Sequence, residues 1–450
     1  MKRMLPRVLL GIFIFIIVIG IGLLLAAPRV DNYQPNSEQG EIPSSSPLMI
    51  TFNKPMDIDS VASHLETNPR RVGSFEQQGN TVVFNPDIPW ISSAFVTVTL
   101  KAGARNTFGL PLLRTLTWKF YVPETRLAYL WPFEPPSDIY LLEPHSGKVV
   151  RLTTFKKGVN DFDVSLDGRM IYFSAENDQG GSDIYSLDLL DKHVIRILEC
   201  GHVHCSGVLV SPDNRFLAFQ RADGVINNEN ISALWLMNLL NKDTYIVSEA
   251  EEGVDDFGWH PMGKLVYFIG DRNLIRLVDP DSNERQEFEI DSESLGVWSP
   301  DGTLYLTTTL IPVKTKDVDA AISSHLLLYN LLSKQSTDLT EGINLEDATP
   351  AFSPNGDWIA FGRKYLDASD WTPGRQLWLV KIDGSNTHAL TNEPDLNHVN
   401  ITWSPDGKYI AFICFNQVKI TAPPEVWMID VEGKTPVRLV INAYAPQWIP

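Results

Sequence analysis

The chain has 450 residues, 44 % hydrophobic and 20 % charged, which leaves room for two or three domains and excludes wholesale disorder. A net charge of −18, with no Lys/Arg-rich stripe to offset it, excludes a nucleic-acid surface and favours solubility, cationic partners or metal ions. Three cysteines, Cys200, Cys205 and Cys414, exclude a disulfide framework, because at most one pair can close.

From Val8 to Ala27 no charged residue occurs, and a helix of that length spans the ~30 Å hydrocarbon core of a bilayer. Lys2, Arg3 and Arg7 precede the run and only Arg29 follows closely, so the positive-inside bias predicts a cytoplasmic N-terminus and an extracytoplasmic remainder, at the cell surface or in the periplasm. A cleaved signal peptide is the rival reading. The run is long for a signal core and Pro28 follows "LAA", which favours an uncleaved single-pass signal-anchor over residues 1–28. Beyond it, 34 basic face 55 acidic side chains.

Residues 29–47 ("RVDNYQPNSEQGEIPSSSP") carry Pro, Ser, Asn and Gly without apolar periodicity and read as a linker. Alternation then begins. Short β-branched and aromatic runs separated by turn residues predict a β-sandwich over 48–123. The phrases "ITFNKPMDIDSV" (50–61), "GNTVVFNP" (79–86), "FVTVTLKAGARNTFGLPL" (95–112) and "WKFYVP" (118–123) resemble the Ig-like domain of bacterial surface-layer and cell-envelope proteins. The resemblance implies a spacer or adhesion module without an active site.

Residues 124–450 change to a repeat of about 40–55 residues, the signature of a propeller or solenoid. Each unit reads strand, turn, strand, loop, strand, turn, strand. Tight turns at 166–168, 212–214, 261–263, 300–302, 354–356 and 405–407 mark six units. Two fragments remain: three strands at 126–154 and one at 443–450, "AYAPQWIP". Together they predict one more blade closed by both chain ends, seven in all, with no edge strand left free. In Ser-Pro-Asp-Gly, proline pre-sets φ, Asp bonds its downstream backbone and Gly accepts φ > 0. The motif is therefore read as a hairpin turn and not as catalytic machinery. The intact phrase "WSPDGKYIAF" (403–412) resembles the TolB-like, WD-related propeller family, whose commoner six-bladed ring is the alternative count. The expected fold is all-β: an N-terminal transmembrane helix, an Ig-like sandwich and a propeller.

Connection lengths separate two propeller faces. One carries short turns. The other carries insertions at 221–232, 310–324, 364–376 and 415–424, and long loops on a rigid scaffold are where recognition usually lives. Blade-to-blade connections feed the innermost strands, so their last residues are expected to ring the channel mouth. In order these are Asn160, Asp161 and Asp163; His202 and His204; Asp255 and Asp256; Glu293; Glu346 and Asp347; Asn397, His398 and Asn400. Such carboxylates and imidazoles suit a divalent cation, a basic peptide end or a hydroxyl-rich ligand. The competing reading is strand caps that meet water. In "CGHVHC" (200–205), a Cys200–Cys205 disulfide competes with a metal held by His202, His204 and neighbouring carboxylates. Cys414, in an apolar strand, reads as a small buried hydrophobe.

No G-x-S-x-G, H-E-x-x-H, Walker or Rossmann pattern occurs. The expected protein is a membrane-tethered extracytoplasmic scaffold whose loop-rich face engages a protein or cell-envelope polymer, without nucleic acid or an obligatory cofactor. The alternative is a metal-assisted propeller lyase or glycan-cleaving enzyme using His202, His204 and His398.

Overall fold

The computed structural model describes residues 26–36, 42, 44, 46–87, 89–226, 229–249, 252–292, 294–313, 321–340, 342, 344–366, 371–433 and 435–450. Residues 1–25, nearly all of the expected anchor, lie outside this set. Among the described residues no helix is long and apolar enough to cross a membrane. The chain forms two compact units, Met1–Glu124 and Thr125–Pro450.

The first unit packs two sheets. One contains β1 (Val30–Gln34), β2 (Leu48–Phe52), β5 (Thr81–Pro86) and β4 (Gly73–Gln78), in the order β1-β2-β5-β4; β3 (Leu65–Asn68), β6 (Ala94–Leu100) and β7 (Leu116–Val122) form the other. Alternation decides which side chains turn inward. Leu48, Ile50 and Phe52 of β2 and Val96, Val98 and Leu100 of β6 meet in one buried cluster around Trp90 and Phe120. Those two rings pack edge to face at 5.6 Å, and the Trp90 indole donates to Ser46 O at 2.7 Å.

Two expectations change here. The segment read as a linker contributes β1, which pairs with β2, and the Trp118 indole reaches back to Pro35 O at 3.1 Å. Pro and Ser content concealed a short edge strand whose partners are remote in sequence. The unit also holds one helix, α1 (Ile58–His64), capped by Asp57, whose side chain accepts from Ser60 N at 3.0 Å. "DIDSV" carries that cap signal, but about two turns are too short to show apolar periodicity.

The second unit repeats antiparallel four-stranded groups. Arg126–Trp131 (β8), Asp138–Glu143 (β9) and Lys148–Arg151 (β10) come first. Sheet 1 is β11–β14, spanning Val159–Val164, Met170–Glu176, Ser182–Asp188 and Val194–Leu198. Sheet 2 is β15–β18, spanning Cys205–Val210, Phe216–Ile226, Glu229–Asn238 and Thr244–Ile246. Sheet 3 is β19–β22, spanning Asp256–Trp259, Leu265–Ile269, Leu274–Val278 and Arg285–Glu289. Sheet 4 is β23–β26, spanning Val297–Trp298, Leu304–Val313, Ala321–Asn330 and Gln335–Asp338. Sheet 5 is β27–β30, spanning Leu345–Phe352, Trp358–Tyr365, Gln376–Lys381 and His388–Ala389; one parallel bridge, Ser324 to Glu346, links it to sheet 4. Sheet 6 is β31–β34, spanning Leu396–Trp403, Tyr409–Asn416, Glu425–Asp430 and Val437–Ile441.

The last strand, β35 (Tyr444–Ile449), pairs antiparallel with β8 and completes a closing sheet, β10-β9-β8-β35. Every pair of consecutive sheets shares a buried apolar cluster, and β35 serves two: Ile449 packs with sheet 1 and Trp448 with sheet 6. First strands of neighbouring sheets touch, as β11 does β15 and β35, and β31 does β27 and β35.

The repeated turn works through serine. Ser404 Oγ accepts from Tyr409 N at 2.9 Å and donates to Asp406 at 2.8 Å, while Gly407, at φ 71°, donates to Ser404 O. Ser165, Ser211 and Ser299 do the same with Asp167, Asp213 and Asp301, and Ser353 with Asn355. In sheet 3, where the motif has eroded to "HPMG", His260 stands in: its Nδ1 accepts from Met262 N at 3.1 Å.

Two of the expected loop insertions are instead strand extensions. Residues 221–226 pair with 229–233, and 310–313 with 321–324, as long hairpins beyond sheets 2 and 4.

Candidate functional site

The residues expected at the channel mouth sit on or just before first strands, where bulges recur. Register shifts interrupt β11, β15, β27, β31 and β35. In four of these strands the shift coincides with a positive-φ residue: Gly207, Thr349, Asn400 and Ala445. Bulges re-aim side chains and free backbone N–H groups, and N–H groups of β15 account for Asp161 and Asp163.

Asp161 spans sheets 1 and 2. It accepts from Gly207 N and Val208 N, both at 3.0 Å, and from Ser174 Oγ at 2.6 Å. Asp163 accepts from Val210 N at 2.8 Å. Desolvation by the surrounding strands pushes its carboxyl up to about 7, with Asp161 adding repulsion and the backbone bond opposing. Three tryptophans make equivalent stitches. Trp259 donates to Leu209 O, Trp403 to Ala351 O and Trp448 to Thr402 O, each at 3.1 Å and each onto the strand segment just past a bulge. Gln447 bonds Phe162 O and Val164 N across the closing junction. The recurring tryptophan is thus a tie between sheets as well as a core residue.

Asp347 is buried against Arg363, a two-pronged pair at 2.6 and 2.7 Å; burial raises its carboxyl and the guanidinium opposes that. Glu346 holds Lys364 at 3.1 Å and Arg375 in a closer contact. His398 is fully buried. Its Nδ1 bonds Arg375 O at 2.7 Å, its Nε2 lies 4.0 Å from Glu393 without a hydrogen bond, and burial lowers its pKa to about 4. Asn397 accepts from Arg375 N at 2.8 Å. Glu293 lies outside the described residues.

Six expected residues keep open surface: Asn160, His202, His204, Asp255, Asp256 and Asn400. His202 Nδ1 bonds Gln179 O at 2.7 Å, and His204 lies 3.6 Å from Glu176. Asp255 accepts from Gly270 N at 2.6 Å. Asp256 is solvent-exposed on one side, yet desolvation on the other and then Asp255's charge raise its pKa. Asn400 holds the bulge in β31. The polar ring therefore resolves into junction ties and capped strand ends. His202 and His204 lie where sheets 1 and 2 meet and His398 lies inside sheet 6, so the three histidines are not gathered. Among the described residues no group of three His, Cys, Asp or Glu is placed to hold a metal ion.

Cys200 and Cys205 form a disulfide, the pairing that competed with a metal held by His202, His204 and neighbouring carboxylates. Cys414 is buried and free, its thiol pushed up to about 12 by burial.

Sequence reasoning missed an outer feature. In four sheets a residue at the start of the third strand pairs with one thirteen positions later on the fourth: Asp138–Arg151, Asp183–Arg196, His325–Asp338 and Glu425–Arg438. The constant spacing was available as a signal; sheets 2 and 3 lack the pair, and so does sheet 5. There Gln376 and Ala389 occupy the two positions, beside a pocket of about 650 Å3 that Trp378 lines.

Comparison with known proteins adds the following. Residues 26–122 match the bacterial Ig-like domain family. Dipeptidyl-peptidase 5 of Porphyromonas gingivalis is 29 % identical over 139 residues, 30 % of this chain and 19 % of that protein. An uncharacterized protein of Agrobacterium fabrum is 25 % identical over 148 residues, 30 % of this chain and 42 % of that one. The chain thus spans less than half the length of either curated relative. Among solved structures, TolB from Acinetobacter baumannii is 12 % identical, with 86 % of this chain and 83 % of that chain covered and a TM-score of 0.45. The propeller domain of the Trilobed protease from Pyrococcus furiosus is 14 % identical, with 63 % and 84 % covered and a TM-score of 0.47. A putative TolB from Agrobacterium tumefaciens is 17 % identical, with 72 % and 99 % covered and a TM-score of 0.39.

Proposed function

We propose that the protein is an extracytoplasmic binding scaffold. Residues 8–27 tether it to a membrane with its N-terminus in the cytoplasm, and a seven-bladed ring engages a protein or cell-envelope polymer through its loop-rich face. The observation that carries this reading is the asymmetry of the propeller unit. Short serine-locked turns occupy one face, while the long hairpins of sheets 2 and 4 extend from the other. Backbone that projects beyond the shared clusters adds little to the core, and recognition gives it a use. The seven-membered count is supported by the seven shared clusters, each bridging two consecutive sheets and returning through β35 to the start.

The lyase alternative requires His202, His204 and His398 around one metal ion, and their separate placements do not support it. A similarity to one part of a peptidase brings no catalytic residues with it, because propeller scaffolds serve many chemistries.

The test is capture of envelope components by the full chain, before and after metal stripping, with residues 223–230 replaced by a two-residue turn. The shortened variant is expected to lose its partner, whereas Asp406→Ala on the short-turn face retains it. Equal capture by both variants would remove the loop-rich face from consideration. Membrane retention after alkaline extraction, with protease access to residues 26–450 from outside the cell, tests the tether and its direction.

A further inference from the structure

At the outer edge of three propeller sheets an arginine on the fourth strand is held by an acid on the third, and sheet 5 carries neither. At one register of each sheet the fourth strand sets a single side chain opposite the third strand. Arg151 faces Tyr140, Arg196 faces Tyr185, Arg438 faces Trp427 and Ile246 faces Trp235. Glu287 faces Arg276 and Asp338 faces Leu327. The three arginines are held by Asp138, Asp183 and Glu425 at 2.6, 3.1 and 3.2 Å. In sheet 5 the residue facing Trp378 is Ala389, the smallest side chain at this register, and Gln376 replaces the acid. The Gln376 amide turns inward, donating to Glu393 O at 2.8 Å and accepting from Glu393 N at 2.6 Å.

Without the arginine and its acid, the groove stands open as the pocket of about 650 Å3, within the range of small-ligand sites. Trp378 and Tyr365 form its aromatic walls, meeting near-perpendicular at 6.2 Å. Arg363 lies 5.2 Å from the indole centre and is fixed from behind by Asp347. Lys364 is fixed by Glu346, and neither carboxylate lines the pocket. Among the described residues its lining holds two cations and no acid, within a chain of net charge −18. Asn392 and Thr372 add an amide and a hydroxyl at the rim.

We propose that this pocket, at the loop-rich end of sheet 5, binds a carboxylate-bearing saccharide. The aromatic walls suit the C–H face of a sugar ring, the immobilised cations suit its carboxylate, and the rim groups suit its hydroxyls. An acidic peptide brings the carboxylate but no ring to lie against the aromatic walls. The inference rests on the scaffold reading and specifies the envelope polymer as an acidic glycan.

The full chain is titrated with a uronic-acid tetrasaccharide, its carboxyl-reduced neutral counterpart and a tetraglutamate peptide, followed by saturation-transfer NMR and tryptophan fluorescence. Transfer to the uronic-acid sugar is expected, with at least tenfold weaker binding of the other two. Ala389→Arg restores the side chain that three sibling sheets carry, so it should fold with an unchanged melting midpoint and lose at least tenfold in affinity. Lys364→Ala, at the rim, should lose several-fold. The proposal is overturned by no transfer to the uronic-acid sugar at millimolar concentration, by preference for the peptide, or by undiminished binding in both variants. If envelope capture still depends on the sheet 2 hairpin in that event, the pocket fails and the scaffold reading stands.

Discussion

The pairing of the two ends of the propeller unit makes a sharp prediction at Trp448. Its side chain is 6 % exposed and packs with Leu127, Tyr129, Ala411 and Met428. Its indole donates to Thr402 O at 3.1 Å. Trp448→Ala removes that buried volume at a junction held on both sides, where the neighbours can collapse only partly, and is expected to cost about 3–5 kcal/mol. Trp448→Phe keeps most of the apolar contact but leaves the Thr402 carbonyl without its donor, a loss of roughly 1–2 kcal/mol. Deleting residues 444–450 goes further: it strips the β8 edge and opens two clusters at once, so the product should lose its cooperative transition and aggregate. Denaturant titration followed by far-UV circular dichroism, with midpoints compared at constant slope, reads all three. A cost below about 1 kcal/mol for Trp448→Ala would mean that the strand is frayed and that the ring is not sealed by its own ends.

Asp163 and His398 should titrate against each other. The folded carboxyl of Asp163 is raised to about 7, so the unfolded chain ionises first and Asp163 lowers stability as pH rises from about 4 to 7. The folded imidazole of His398 is depressed to about 4, so the unfolded chain takes up a proton first and stability is lost as pH falls from about 6.5 to 4. These slopes oppose one another in the native chain. Asp163→Asn should therefore show stability rising with pH across 4.5–6.5 and His398→Gln should show it falling, read as melting midpoints; parallel profiles would refute the assignment. Closing a six-residue loop, the Cys200–Cys205 bond is worth about 2 kcal/mol. Reduction should add about 2 Da to the intact mass and lower the midpoint, while Cys414→Ala leaves the redox response unchanged. At the turn, Ser404→Ala removes a buried hydroxyl that both accepts and donates, for about 1–2 kcal/mol, whereas Asp406→Asn, which keeps the acceptor as Asn355 does in sheet 5, should cost less than half of that by the same titration.

Much of the architecture is local in origin and therefore legible from the chain. Alternating apolar residues specify strands, and Ser-Pro-Asp-Gly specifies the turn between them, because both act over a few neighbouring bonds. Two leftover fragments, "RLAYLW" with its followers and "AYAPQWIP", indicated that the ends of the repeat region meet, since a strand without a partner would leave its backbone groups unsatisfied. The burial of Cys414 followed from its apolar neighbours.

What the sequence left open depends on contacts between residues far apart. The first strand of the sandwich lies in a stretch that reads as linker, and only its pairing with β2 makes it a strand. Asp161, Asp163 and Asp347 look like ligands when lined up by repeat, yet bulges in the adjoining strand turn backbone N–H groups toward Asp161 and Asp163, and Arg363 claims Asp347. The disulfide needed the two thiols to meet across a tight loop. The open groove beside Trp378 is visible only when the three sheets that carry the Arg–acid pair are laid over it, because it consists of a missing arginine. Local sequence sets the strand and the turn through short-range sterics and hydrogen bonding. Which polar group is consumed by the fold, and which is left for a partner, is settled only when neighbouring sheets pack and compete for it.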